Sequence, residues 1–199
     1  MTIKRKFDKR IYNLKTLNDD MRKFISHADF FVETILNPVI SKHFSERVSM
    51  SVIQVNGCKL CSYTHTKNAL KSGMSKEEVE VLLSGGFEGA PKEELEALLF
   101  AQHYADTKGN PDLETKQKLL NIYGKEKTKD IMSHILLMMM TNLHGNTMEA
   151  FKMRLKGEKI ENSSFWQELI CIIHFFKIMP IILFKMIKYK IFTKKNSRN

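Results

Sequence analysis

Apolar residues recur every three or four positions through most of the first 155 residues, which is the spacing of helices that bury one face. No segment alternates convincingly between apolar and polar positions, as a half-buried strand would, and no internal repeat is visible. Glycine and proline are scarce, with nine and four residues, while methionine, leucine, lysine and glutamate are plentiful. The pattern predicts an all-α domain over residues 19–157.

Breaks in this periodicity divide the domain into helices. Asn37-Pro38, Asn56-Gly57 and Gly73 are helix-ending signals, and Gly85-Gly86 reads as a loop. The predicted helices cover about 19–36, 41–55, 58–72, 75–83, 91–105, 112–122 and 125–155, the last with a further break that the sequence does not locate.

Two of these helices have recognisable first turns. Ser75 is placed to cap the predicted helix over residues 75–83, and Glu78, three residues later, would complete a capping box. Pro91 suits a first-turn position at the start of the helix over 91–105.

The net charge of +10 is concentrated at the two ends of the chain. The first seventeen residues hold six basic groups and one acid, and the residues from 165 onward hold seven basic groups and one acid. A nucleic-acid-binding domain usually carries its basic residues on the folded domain, so no nucleic-acid partner is expected. Charge at the ends suits an anionic membrane surface instead.

The C-terminal region is unusually apolar. Residues 158–164 read as a linker, and the stretch 169–187 has only His174, Lys177 and Lys185 as polar groups. It is borderline in length for a membrane span and holds Pro180 near its middle. Peripheral membrane contact through residues 165–192 is favoured, with packing on the domain or on another subunit, and true spanning, left open. The chain then divides into a basic segment 1–18, the helical domain 19–157 and a tail 158–199.

The chain begins with a charged segment that lacks the apolar run of a signal peptide, so a cytoplasmic protein is expected, with peripheral contact at the inner membrane surface. In that reducing compartment a CxxC pair is more typical of catalysis or metal binding than of a structural disulfide.

Candidate chemistry is concentrated in NGCKLCSYTH, residues 56–65. Cys58 and Cys61 are three positions apart and His65 follows four positions later, so on a helix all three side chains share one face. Cys58 would lie near the helix N-terminus, where backbone N–H groups stabilise a thiolate, and His65 can accept a thiol proton. A zinc site, a plain apolar core and a disulfide staple remain alternatives. The pattern favours thiol redox chemistry.

The run from residue 46 to residue 86 resembles the alkylhydroperoxidase AhpD-like branch of the carboxymuconolactone decarboxylase family. The family motif is a glutamate, a CxxC pair beginning twelve residues later, and a histidine four residues after the second cysteine. Glu46, Cys58, Cys61 and His65 match it position for position. The resemblance covers about residues 40–155.

The resemblance implies an all-helical fold and a homo-oligomer, a trimer or a multiple of one. It also implies an antioxidant peroxidase with Cys61 as the peroxidatic thiol, Cys58 as the resolving thiol, His65 as the base and Glu46 as its carboxylate partner. The substrate would be a hydroperoxide and the reductant a dithiol, thioredoxin-like or lipoyl protein. No cofactor and no metal are implied.

One position departs from the best-known peroxidase pattern. Leu60 stands between the two cysteines, where that pattern has a second histidine, so one element of the proton relay is missing. His144, Asn142 and Asn146 are further candidates to line the site. A redox sensor or membrane-associated redox adaptor, and a zinc-holding structural protein, remain alternative functions, whereas lactone decarboxylation is disfavoured because those relatives generally lack the CxxC pair.

Overall fold

The computed structural model describes residues 7–177, 180–181 and 183–189, and it is all-helical there, which confirms the predicted fold class. A 3-10 turn, Lys92–Glu94, precedes α6, and residues 180–181 and 183–189 are also helical. The α helices are α1 (Leu14–Ser26), α2 (Ala28–Leu36), α3 (Lys42–Asn56), α4 (Lys59–Ser72), α5 (Lys76–Ser84), α6 (Leu95–Asp106), α7 (Leu113–Leu155) and α8 (Phe165–Phe176).

The chain forms two compact units. The central unit is Pro38–Asn146, and the terminal unit combines Met1–Asn37 with Thr147–Asn199. Parts of the predicted basic ends, residues 1–6, 178–179, 182 and 190–199, lie outside the described residues.

In the central unit, α3 is buried on nearly all sides and packs against α4, α5 and α6. Its apolar residues Val48, Met50 and Val52 join the core with Leu98 and Ile135. Hydroxyl groups on α3 are satisfied within the helix, since Ser51 donates to the Arg47 carbonyl at 2.9 Å. A helix enclosed in this way can hold a charged side chain in a fixed place, as it does for Glu46.

A buried ion-pair cluster joins three elements of the central unit. Arg47 donates through Nε to Glu78 at 2.6 Å and through Nη1 to Glu94 at 2.9 Å. Ser75 caps α5 as predicted, accepting from the Glu78 N–H at 3.1 Å. The carboxylate of Glu78 pairs with Arg47 instead of completing the predicted capping box, so Ser75 alone provides the side-chain cap of α5.

The prediction of one helix over 19–36 is wrong. The helix starts earlier because Asn13 and Thr16 form a capping box, with the Thr16 N–H donating to Asn13 Oδ1 at 2.8 Å and the Asn13 N–H donating to Thr16 Oγ1 at 3.1 Å. It is also interrupted at His27, which separates α1 from α2. Within α7, the two predicted helices 112–122 and 125–155 are confirmed, and Gly124, whose φ is 69°, separates them. The further break expected inside 125–155 is not found, since the backbone there is helical throughout.

In the terminal unit, the predicted linker 158–164 is held by one arginine. Arg154 donates to the carbonyls of Ile160 and Ser163 at 3.1 and 2.8 Å, and it pairs with the buried Glu168 of α8 at 3.0 Å. Within the described residues, no helix combines the length and the apolar character that crossing a bilayer requires.

Candidate functional site

The turn between α3 and α4 sets the positions of the two cysteines. Gly57 ends α3 in the left-handed conformation with φ of 67°, and Cys58 follows as the N-cap of α4. Cys58 Sγ accepts a hydrogen bond from the Cys61 N–H at 3.3 Å. The sulfur of Cys58 therefore sits at the helix N-terminus, where an anion is stabilised by a backbone donor and by the helix dipole.

Glu46 and His65 form a hydrogen-bonded pair between neighbouring helices. Glu46 is buried on α3, and its Oε2 lies 2.7 Å from Nδ1 of His65 on α4. With a carboxylate at Nδ1, the neutral imidazole carries its proton on that nitrogen and leaves Nε2 as the acceptor. Glu46 and His65, which are nineteen positions apart in the sequence, are thus in direct contact.

The two cysteine side chains are close to each other, and neither is in a disulfide. Cys58 is only 1% exposed, whereas Cys61 is partly exposed. The pKa of the Cys61 thiol is raised, first because it hydrogen-bonds to the Cys58 sulfur and then because it is buried. The Thr141 hydroxyl, which lies within hydrogen-bond range of Cys61, acts in the opposite direction.

Gly145 of α7 lies against the thiol pair. A Cβ atom at this position would lie 2.6 Å from Cys58 Sγ and 3.7 Å from Cys61 Sγ. Thr141 is one helical turn earlier on α7, so both residues belong to one face of this helix. Sequence reasoning missed Gly145 and Thr141. A glycine inside a predicted helix, which has a low helix propensity, was the available signal for the first.

The three polar candidates on α7 have different surroundings. Asn146 donates to the Asn56 carbonyl at 2.9 Å and so fixes the end of α3 just before Cys58. Asn142 is fully buried, and neither polar atom of its side-chain amide has a hydrogen-bond partner among the described residues. His144 is buried too, which lowers its pKa to about 4.

Leu60 lies on the exposed face of α4. It is 58% exposed, and Tyr63, one turn later, is also exposed. The position at which the peroxidase pattern has its second histidine therefore faces outward in this chain.

His134 of α7 is not among the residues that the sequence predicts for the site. Its pKa is lowered, first by burial, while the charges of Asp130 and Glu46 oppose that shift and His65 adds to it. His134 Nε2 lies 3.9 Å from Asp130 Oδ1. Asp130 in turn accepts from the backbone N–H groups of Val39 and Ile40 at 2.7 and 2.9 Å. His134 is thus within electrostatic reach of the Glu46–His65 pair.

A cavity of about 460 Å³ opens beside the start of α4, and Cys58 forms part of its wall. Lys59, Tyr63 and Thr66 line it from α4, and Gln54 lines it from α3. In the described part of the chain, no cluster of three or more histidine, cysteine, aspartate or glutamate side chains is arranged to hold a metal ion.

Comparison with known proteins relates part of the chain to a protein family. Residues 24–103 match the sequence model of the carboxymuconolactone decarboxylase family. Neither a curated protein nor a solved structure matches the chain. Glu46, Cys58, Cys61 and His65 lie inside the matched segment, whereas the α7 residues around the thiols lie outside it. The match confirms, over residues 24–103, the relationship to the carboxymuconolactone decarboxylase family that the sequence motif indicates.

Proposed function

We propose that this protein is a thiol-dependent peroxidase that reduces a hydroperoxide with the Cys58–Cys61 pair. The observation that carries the proposal is the 2.7 Å contact between His65 and Glu46 beside two neighbouring thiols. A thiol, a histidine and a carboxylate that orients the histidine are the parts from which an activated sulfur nucleophile is built. The protein is expected to act in the cytoplasm as a homo-oligomer.

Activation begins with removal of the Cys61 proton. Glu46 holds Nδ1 of His65, so Nε2 is the basic nitrogen, and His65 lies one helical turn after Cys61 on the same face of α4. The proton passes from Cys61 to His65 directly or through a water. This base is needed because the pKa of Cys61 is raised.

The Cys61 thiolate then attacks one oxygen of the hydroperoxide. A sulfur–oxygen bond forms, the oxygen–oxygen bond breaks, and the leaving alkoxide takes the proton from His65 to become an alcohol. Cys61 is oxidised to a sulfenic acid, and the hydroperoxide is reduced. The greater exposure of Cys61 supports this thiol as the one that meets the peroxide.

Cys58 resolves the sulfenic acid. Its thiolate attacks the sulfur of Cys61, a disulfide forms, and the hydroxyl group leaves as water after taking up a proton. A dithiol reductant returns the pair to two thiols by two exchange steps and becomes a disulfide itself. The cavity beside Cys58 gives a small dithiol or an extended lipoyl arm room to approach.

Steady-state reduction of cumene hydroperoxide, with dihydrolipoamide as the dithiol, tests the proposal. We expect Cys61→Ser to abolish turnover and His65→Ala or Glu46→Gln to lower kcat/KM by about 100-fold or more. His27→Ala and Glu80→Gln change exposed residues of the same types and should leave the rate unchanged. Turnover that survives Cys61→Ser would overturn the proposal.

A redox sensor is the second candidate, and the raised pKa of Cys61 together with an exposed leucine at position 60 favours it. In that case peroxide drives one disulfide to completion, but no dithiol sustains repeated cycles. Stoichiometric zinc in protein purified without added metal would point to a third function, a zinc-holding structural protein.

A further inference from the structure

Helix α8 is fixed in the terminal unit through one of its faces. Glu168 and Cys171 on this face are fully buried. Glu168 pairs with Arg154 at 3.0 Å, and Gln167 donates to the Tyr12 carbonyl at 3.0 Å. The orientation of α8 about its own axis is therefore determined by packing and by a buried ion pair.

The opposite face of α8 is apolar although it is exposed. Trp166, Ile170, Ile173 and Phe176 follow one another at spacings of four, three and three residues and are between 41% and 68% exposed. Such spacing places them along one side of the helix. A helix at the surface of a globular domain normally presents polar residues on this side, so the face is a candidate interaction surface.

More exposed apolar residues belong to the same unit. In the helical segment 183–189, Leu183, Phe184 and Ile187 are exposed. This segment is tied to α2 at two points, by an ion pair between Lys185 and Asp29 at 3.0 Å and by a hydrogen bond from Asn37 to Tyr189 at 3.0 Å.

The charge of this region is almost entirely positive. From residue 165 onward the sequence has seven basic groups and a single acid, Glu168, which is buried and paired with Arg154. Lys177, at the end of the apolar face, and Lys188 are exposed. An apolar strip flanked by cations is the chemical complement of a bilayer surface with anionic headgroups.

We propose that the exposed face of α8 binds an anionic membrane surface, with the helix lying in the interface and not crossing the bilayer. A second copy of the chain fits this face less well, because pairing two copies would bring the same lysines together. The proposal is independent of the thiol chemistry, since it rests on residues of the terminal unit only.

The chain reports on this contact by itself, because Trp166 is its only tryptophan and stands in the exposed face. Full-length protein is mixed with vesicles of phosphatidylcholine alone, or of phosphatidylcholine with about 30% phosphatidylserine, which gives the bilayer a negative surface potential. We expect a blue shift of the Trp166 emission and co-sedimentation with the anionic vesicles, both weakened by high salt.

The test variant is Ile170→Glu with Ile173→Glu, which should weaken vesicle binding by tenfold or more, that is, by about 1.4 kcal/mol or more. The matched control is Leu113→Glu with Ile122→Glu, which places the same two charges at exposed apolar positions of α7 and should bind as the unchanged protein does. Equal binding of test and control variants would overturn the proposal. It would also fail if vesicles left the Trp166 emission unchanged while the test variant dissociated an oligomer in solution, because the face would then belong to a second copy. Peroxidase turnover without vesicles should be the same in both variants.

Discussion

At the scale of single residues, the environment of the thiols is defined by two residues of α7, Gly145 and Thr141. The space that a Cβ at Gly145 would need is taken by Cys58 Sγ, at 2.6 Å from that position. One turn earlier, the Thr141 hydroxyl donates to the Leu137 carbonyl at 2.9 Å and also lies within hydrogen-bond range of Cys61. If that hydroxyl rotates to donate to the Cys61 sulfur, it stabilises the thiolate. The Leu137 carbonyl, which then loses the hydroxyl, still belongs to the backbone hydrogen bonding of its helix.

Replacing Thr141 with valine should therefore make Cys61 harder to ionise. In a Cys58→Ser background, where a single thiol of the pair titrates, we expect Thr141→Val to shift the pH midpoint of Cys61 alkylation upward by about one unit. Thr141→Ser keeps the hydroxyl and should retain the original midpoint. An unchanged midpoint in the valine variant would show that the hydroxyl does not stabilise the thiolate.

These two residues also show where sequence reasoning stops. Cys58, Cys61 and His65 could be grouped from sequence because all three lie within eight consecutive positions, where helical spacing alone decides which side chains meet. The motif resemblance added Glu46. Thr141 and Gly145 are some eighty positions further along, and no local pattern shows which helix covers the thiols.

At the scale of helices, α3 acts as the support for α4, α5 and the turn before α6. Arg47 makes the cross-links, since it reaches both Glu78 and Glu94 from a buried position next to Glu46. Burial raises the pKa of Glu94, and the charge of Arg47 opposes this. The carboxylates of Glu78 and Glu94 thus share the guanidinium of Arg47 as their positively charged partner.

Arg47→Ala should destabilise the protein by about 3 kcal/mol or more, because it leaves two carboxylates in a buried site without their partner. Urea unfolding followed by circular dichroism measures this loss. Lys76→Ala removes an exposed ion pair with Glu80 and should change the free energy of unfolding by about 0.5 kcal/mol or less. Similar effects for the two variants would contradict the structural role of Arg47.

Helix ends were predictable where a glycine or a proline marks them, as at Gly57, Gly73 and Gly85, which all take the left-handed conformation. The start of α1 was not, because Asn13 and Thr16 lie inside a basic stretch that hides their capping box. Glu78 was assigned to a cap by its spacing from Ser75, but its tertiary contact with Arg47 decides where its carboxylate goes.

At the scale of the whole molecule, the buried His144 and the partly buried His134 couple stability to pH. The pKa of His144 is about 4 in the folded protein against an ordinary value of 6.5, and that of His134 is lowered as well. Between the two His144 values, about 4 and 6.5, the unfolded chain binds more protons than the folded one, so stability falls as the pH falls below 6.5. Asp20 and Glu94, whose pKa values are raised by burial, contribute with the opposite sign at lower pH.

The free energy of unfolding should accordingly drop by about 1 kcal/mol from His144 alone between about pH 7 and 5.5. His144→Gln should reduce this pH dependence, whereas His27→Gln, at an exposed histidine, should not. Equal slopes for the unchanged protein and His144→Gln would show that His144 is not buried in its neutral form.

The central claim is that a hydroperoxide oxidises Cys61 with His65 and Glu46 as its base. It is tested most directly in a Cys58→Ser variant, where the sulfenic acid cannot be resolved by Cys58 and no reductant is required. One equivalent of cumene hydroperoxide is added, and dimedone labelling followed by peptide mass spectrometry measures the rate of sulfenic acid formation at Cys61. We predict oxidation at Cys61 that is about 100-fold or more faster than in the same variant carrying Glu46→Gln. Equal rates in the two variants, or oxidation no faster than that of a free cysteine, would contradict the claim.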